Sequence, residues 1–275
     1  MNYCKARSLQ DFFRLAADAE GLVRPLAGGA DIMYRIKKRF LKPDRLTLID
    51  INGLDDLKEV SDRGEDLEIG SVTTLARLEV ILKGQEGFSL LETALSRTAC
   101  PQIRNQGTLG GHVVGCLPNS HLFPALMAYG AVAGILSPEG ERFVPVEELF
   151  RSPYHSRLKS GELVKSVTIT RKAFRWESYW GEGQRKDFSL APFVLAMALD
   201  DNGLRRIIGG SPNFLPTRFR VLESAPPGFG GGKNPLMDFI KEEISEQERR
   251  KNRLTDYQKT VLYRMTGEMA EAEAR

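Results

Sequence analysis

Pro101-Gln-Ile-Arg-Asn-Gln-Gly-Thr-Leu-Gly-Gly-His-Val-Val-Gly-Cys-Leu-Pro118 is the most densely specified stretch of the chain. Gly107, Gly110, Gly111 and Gly115 stand there among amide and β-branched residues. The pattern reads as a strand end folding into a tight loop, where backbone passes close to something. Such a loop offers main-chain N–H groups to phosphate oxygens. It serves equally as a plain turn between packed elements, and on these glycines alone both readings stay open.

A second glycine turn lies upstream. Leu22-Val-Arg-Pro-Leu26 reads as a short strand, Ala27-Gly-Gly-Ala-Asp31 as a turn, and Ile32, Met33 and Ile36 restore a helical period. Strand, glycine turn and helix is the context in which a helix N-terminus receives phosphate. The spacing is not GxGxxG, so a Rossmann dinucleotide fold does not follow. Past the basic segment Arg35–Lys42 and Pro43, the run Arg45–Ile51 gives a second strand that completes a small βαβ unit.

Bulk properties narrow the classes. At 275 residues the chain has room for about two domains. Lys+Arg 39 against Asp+Glu 36 leaves +3, too small and too interspersed to point to nucleic acid. No apolar run approaches the roughly 20 residues of a membrane helix, and the N-terminus lacks a signal core, so a cytoplasmic protein is expected. Cys4, Cys100 and Cys116 are scattered without CxxC spacing, which offers neither a disulfide framework nor four thiolates for an iron–sulfur cluster. No metal of its own is expected.

Elsewhere, Ser8 is placed to cap a helix carrying Phe12, Phe13, Leu15 and Ala16, with Gly21 as its stop. Leu54–Val60 reads as a short helical or turn segment, Asp66–Ser71 as a strand, Thr73–Lys83, with a cap-like Thr at Thr73-Thr74, and Ser89–Ala99 as helices, and Ser120–Gly130 as a buried helix. Strands are expected at Val132–Leu136, Glu141–Val144 and Leu163–Ile169, paired antiparallel, with a helix-like Val146–Phe150. The texture changes near 172, ahead of an apolar run Leu190–Leu199. Pro226–Pro235 is glycine-rich but departs from a P-loop at Pro227 and Asn234, and reads as a connector. Glu242–Arg253 reads as a solvated charge run, and Leu254–Met269 as a final helix.

Pro25-Leu-Ala-Gly-Gly-Ala-Asp31, Leu48-Ile-Asp-Ile51, Leu67-Glu-Ile-Gly-Ser-Val-Thr-Thr-Leu75 and Gln102–Gly111, with Phe123–Ala131 and Gly161-Glu-Leu-Val164, together resemble the FAD-binding subunit of molybdenum hydroxylases. Xanthine dehydrogenase and carbon monoxide dehydrogenase belong to that family. The resemblance covers most of the chain, in order.

The resemblance implies an α+β FAD-binding fold of the vanillyl-alcohol-oxidase-like type. It has two α/β subdomains, 1–57 and 58–172, and a C-terminal domain, 173–275, of antiparallel sheet and helices. It implies that FAD is held by backbone amides of both glycine segments, through Leu26, Ala27, Gly28, Gly29, Ala30, Asp31 and Ile32, and through Thr108, Leu109, Gly110, Gly111 and His112. By the same comparison Thr98 lies near the flavin and Leu163 packs against its ring. His112 stands where the family has Asn, and His121 where it has an Asp that accepts hydrogen bonds from cofactor hydroxyls. Trp180 falls where many relatives carry a Lys facing the flavin.

The activity so implied is that of an oxidoreductase subunit. Electrons released at a molybdopterin-binding large subunit pass through a [2Fe–2S] small subunit to FAD, and on to NAD or another acceptor. The redox chemistry is the cofactor's, so no catalytic side chain is named. The departures at His112 and His121 raise one alternative, a structural subunit of such a complex without its flavin. A stand-alone oxidase of the vanillyl alcohol oxidase type shares the broad fold but matches the motif order less well.

Overall fold

The computed structural model describes residues 1–181, 191–226 and 233–274. In chain order its first elements are β1 (Asn2–Lys5), α1 (Leu9–Asp18), β2 (Leu22–Leu26), α2 (Ala30–Lys37), β3 (Leu46–Asp50), β4 (Val60–Asp62), β5 (Asp66–Gly70), α3 (Leu75–Leu82), α4 (Ser89–Ser96), α5 (Pro101–Arg104), α6 (Leu109–Gly115) and α7 (Leu122–Ala128). Then come β6 (Val132–Ser137), β7 (Gly140–Pro145), β8 (Phe150–Ser152), β9 (His155–Ser156), β10 (Leu163–Thr170), β11 (Trp176–Trp180), β12 (Val194–Leu199), β13 (Arg205–Ser211), β14 (Phe214–Arg218), α8 (Arg220–Glu223), α9 (Lys233–Arg249) and α10 (Asp256–Glu273). They form an α+β protein.

Two compact units emerge, each discontinuous in sequence. The first comprises residues 1–83, 99–116 and 130–171, the second 84–98, 117–129 and 172–275. The expected segments 1–57 and 58–172 thus fall mostly into one unit, and the chain leaves it after Arg171.

The first unit holds two sheets. Its small sheet has the order β1-β3-β2, all parallel. The run β2–α2–β3 is the expected βαβ; β1, too short to show a period, was not expected. Helix α1 starts where Ser8 Oγ accepts from the Asp11 amide at 3.1 Å. It buries Phe12 in a cluster with Val23, Ile49, Ile51, Leu57 and Leu163. The second sheet is antiparallel, in the order β4-β5-β10-β6-β7.

The second unit is built on the antiparallel meander β11-β12-β13-β14. Every residue of β12 is buried, as befits a strand covered on both faces. Leu195 and Met197 join Val261, Leu262 and Met265 of α10 in one cluster, and α7 also packs on β12. The Thr255–Gln258 capping box starts α10.

Three expectations are corrected. Residues 101–115 are not a strand end and loop. Pro101 opens the short helix α5 and Thr108 caps α6, so Gly110, Gly111 and Gly115 lie inside a helix. The charge run 242–253 is not fully solvated, because Glu243 and Gln247 of α9 are completely buried. Glu243 accepts from the Val221 and Leu222 amides at 2.7 and 3.1 Å, capping α8, and from Gln247 at 2.7 Å. The apolar run begins as a strand only at Val194. Leu190 and residues 227–232 of the expected connector lie outside the described residues.

Candidate cofactor site

Both glycine segments belong to the first unit, and they touch. A Cβ built on Gly28 would stand 1.6 Å from the Gln106 carbonyl oxygen and 3.1 Å from Gly107 Cα. No side chain fits there. The contact makes Gln106 part of the site, a residue that sequence reading passed over because its role lies in its backbone.

The end of β3 pins the first segment. Asn52 Nδ2 donates to the Ala27 carbonyl at 3.0 Å and to Asp50 Oδ1 at 3.0 Å, and Tyr3 Oη donates to Asp50 Oδ2 at 2.8 Å. Burial works to raise the Asp50 carboxyl, but the Asn52 amide, Tyr3 and the Asn52 side chain outweigh it and hold it below the usual range. Asp50 and Asn52 were also missed, since nothing in their spacing separates them from an ordinary turn after a strand.

Gly29 then adopts a left-handed conformation, φ 73°, and starts α2 without a side-chain cap. Among the described residues the amides of Gly28, Gly29, Ala30, Asp31 and Ile32 donate to no protein acceptor. They form a row of donors at the positive end of a helix. The carboxylate nearest to them, Asp31, is neutralised by Arg35 Nε at 2.6 Å. The same guanidinium donates to the carbonyls of Tyr154 at 3.1 Å and Gly115 at 3.2 Å, tying α2 to the end of α6.

The second segment differs. The Leu109 amide donates to Thr73 O and the Gly110 amide to Ser71 O, both at 2.9 Å, and the Gly111 amide to Thr108 Oγ1 at 3.2 Å. A Cβ on Gly110 would lie 2.5 Å from Ser71 Cβ. These glycines let α6 dock on residues 71–75, so their donors are spent on the fold. Among the described residues the first segment keeps five unbonded amides in a row, whereas of Thr108–His112 the Thr108 amide alone donates to no protein acceptor. The second supplies the wall against which the first is set.

The remaining expected residues divide between the two units. Leu163, 1% exposed, is enclosed in the core of the first unit. Thr98, His121 and Trp180 belong to the second unit. Thr98 is buried, its hydroxyl donating to Ala94 O at 2.9 Å. Trp180 packs against the C-terminal core, with Nε1 donating to Tyr257 Oη at 3.0 Å and the Arg264 guanidinium 5.8 Å from its ring centre. His121 Nδ1 lies 2.7 Å from Tyr179 Oη. Burial, then the nearby Arg97 charge, push the imidazole down to about 4, so it is neutral near pH 7.

A row of unbonded amides beside an internally neutralised carboxylate fits an anionic diphosphate such as that of a dinucleotide. Residues 1–171 match the family model of the FAD binding domain in molybdopterin dehydrogenase. The chain belongs to this family. It is an FAD-binding subunit of an oxidoreductase.

The glyceraldehyde dehydrogenase medium chain of Sulfolobus acidocaldarius is 27% identical over 275 aligned residues, covering 96% of this chain and 92% of that one. The carbon monoxide dehydrogenase medium chain of Hydrogenophaga pseudoflava is 31% identical, over 71% of this chain and 68% of that one. The fold is that of the CO dehydrogenase structure from Oligotropha carboxidovorans, with a TM-score of 0.81 and 22% identity over 100% of this chain and 98% of that chain. Among the described residues no helix is long and apolar enough to cross a membrane.

Proposed function

We propose that this chain is the medium subunit of a molybdenum-containing hydroxylase or dehydrogenase. In this reading it assembles with a molybdopterin-binding large subunit and a [2Fe–2S] small subunit. Bound FAD supplies the electron exchange between the [2Fe–2S] clusters and NAD or another acceptor. The observation that carries the reading is the row of unbonded amides, Gly28–Ile32, set against Gln106 and Gly107.

The chain's own part is to bind and orient. The amides of Gly28–Ile32 would hold the diphosphate of the cofactor, and the α2 dipole would add to their field. Asn52, itself held by Asp50, fixes the Ala27 carbonyl just ahead of the amide row. Arg35 cancels the Asp31 charge, which would otherwise repel it.

Titrating the purified chain with FAD, followed by flavin fluorescence, tests this. Wild type should bind and turn yellow. Arg35→Met exposes the Asp31 carboxylate to the diphosphate and should weaken binding by about 1 kcal/mol, roughly fivefold. Adding Asp31→Asn should recover most of that loss. A wild type that leaves flavin fluorescence unchanged and is colourless once unbound FAD is removed defeats the proposal, as does an affinity indifferent to both substitutions.

A further inference from the structure

Helix α2 buries none of its residues. Met33, Tyr34 and Phe40 are 50%, 53% and 72% exposed on it and on the turn that follows. The Tyr34 and Phe40 rings meet edge to face at 6.5 Å, and Lys38 Nζ lies 5.9 Å from the Tyr34 ring centre. Arg39 holds the turn in a left-handed conformation, φ 59°, which L side chains avoid. Tyr34 and Phe40 thus form a small apolar pair at the end of α2 away from the glycine turn, whereas Met33 lies beside that turn, its Cγ 3.5 Å from a Cβ built on Gly29.

Cations flank the pair along the chain. Residues 30–45 carry Arg35, Lys37, Lys38, Arg39, Lys42 and Arg45 against Asp31 and Asp44, a net of +4. The whole chain carries +3, which leaves the other 259 residues at −1. Only Arg35 is ion-paired; among the described residues Lys37, Lys38, Arg39, Lys42 and Arg45 have no carboxylate within ion-pair distance. The protein's entire positive excess sits, uncompensated, in sixteen residues.

We infer that this face of α2 and its turn docks the acidic surface of a partner polypeptide in the complex. The inference rests on the assembly proposed above and deepens it. An exposed Tyr–Phe pair with cations beside it has the make-up of a protein interface, in which aromatic side chains anchor and rim charges steer. Nucleic acid fits less well, because the rest of the chain, at −1, adds no positive excess to meet a phosphate backbone. An anionic membrane fits less well too, because a two-turn helix presents a small apolar face to lipid.

The test is co-expression of the full chain, tagged, with the molybdopterin-binding and [2Fe–2S] subunits. Retained subunits are measured as NaCl rises from about 50 to about 300 mM. Lys37→Glu/Lys38→Glu/Lys42→Glu and, separately, Tyr34→Ser/Phe40→Ser should each weaken retention at least about tenfold. FAD affinity and the circular dichroism of both variants should match wild type, which separates lost docking from lost folding. Equal retention by wild type and both variants overturns the docking face and leaves the assembly standing. A wild type that retains neither subunit sinks the assembly itself. Undiminished retention, with loss of binding to phosphatidylserine vesicles or duplex DNA that wild type binds, reassigns the patch to lipid or nucleic acid and overturns the inference.

Discussion

His121 shows how much one side chain's surroundings decide. The resemblance places it where the family has an Asp that accepts hydrogen bonds from cofactor hydroxyls. In the fold Ser120 Oγ takes the capping role, accepting from the Leu122 and Phe123 amides at 3.2 Å, while His121 turns to Tyr179. A Cβ on Gly181 would lie 2.8 Å from both His121 Nδ1 and Tyr179 Oη, so the pair is closed in by backbone. Neutrality then acquires a measurable consequence. The unfolded chain binds a proton at this imidazole near pH 6.5, the folded chain only near about 4. Between those values the unfolded state holds more protons, so stability is complete above pH 6.5 and falls as pH drops. The shift corresponds to about 3 kcal/mol lost by pH 4. Urea unfolding at pH 7 and pH 4 should show this loss in wild type and a much smaller one in His121→Gln. Equal losses would mean that other groups set the acid sensitivity. None of this was legible in the sequence, where His121 has no neighbour that announces Tyr179, 58 positions away.

At the scale of elements, periodicity and caps carried far and glycine carried less. The run β2–α2–β3, the caps at Ser8 and Thr74 and the strands β5, β6, β7 and β10 follow from local pattern, because each is decided by residues within a turn or an alternation. A glycine, by contrast, records only that backbone is crowded or twisted, not by what. Gly28 and Gly110 look alike in sequence. One meets Gln106 and leaves its neighbours' amides free, while the other meets Ser71 and has its amide bonded within the fold. Alanine substitution separates such cases. In a helix interior Gly→Ala is worth up to about 1 kcal/mol in propensity. At Gly267 of α10 nothing lies within 4 Å of the new Cβ, so Gly267→Ala should stabilise by about 0.5–1 kcal/mol. At Gly110 the new methyl meets Ser71 Cβ at 2.5 Å and its carbonyl at 2.9 Å, where backbone cannot yield. There the overpacking cost of about 1–3 kcal/mol outweighs propensity, and Gly110→Ala should lower stability. Thermal melts of the two variants should therefore move in opposite directions, and a shift of the same sign in both would refute the contact reading.

The whole molecule explains why a three-part division along the chain was attractive and where it breaks. Composition changes at residue 172, and the family match ends at 171, so cutting there looks natural. Yet α4 and α7, both earlier in the chain, belong to the second unit, where they pack on each other and on β11, β12 and β13. All seven residues of α7 are buried. Such long-range pairing leaves no local signature, since a buried helix reads the same whichever sheet covers it. A chain ending at Arg171 keeps both glycine segments but strips Leu90, Leu91, Leu95, Leu122, Phe123, Leu126 and Met127 of their sheet. At about 1.5 kcal/mol or more for each large apolar side chain, that exposure amounts to roughly 10 kcal/mol, as much as an entire domain's stability. The truncated chain should therefore collect in inclusion bodies or, if soluble, bind a hydrophobic dye and melt without a cooperative transition. A sharp melt together with full-length FAD affinity would show instead that the first unit tolerates both excursions as unpacked loops, and that the second unit contributes nothing to holding the amide row in place.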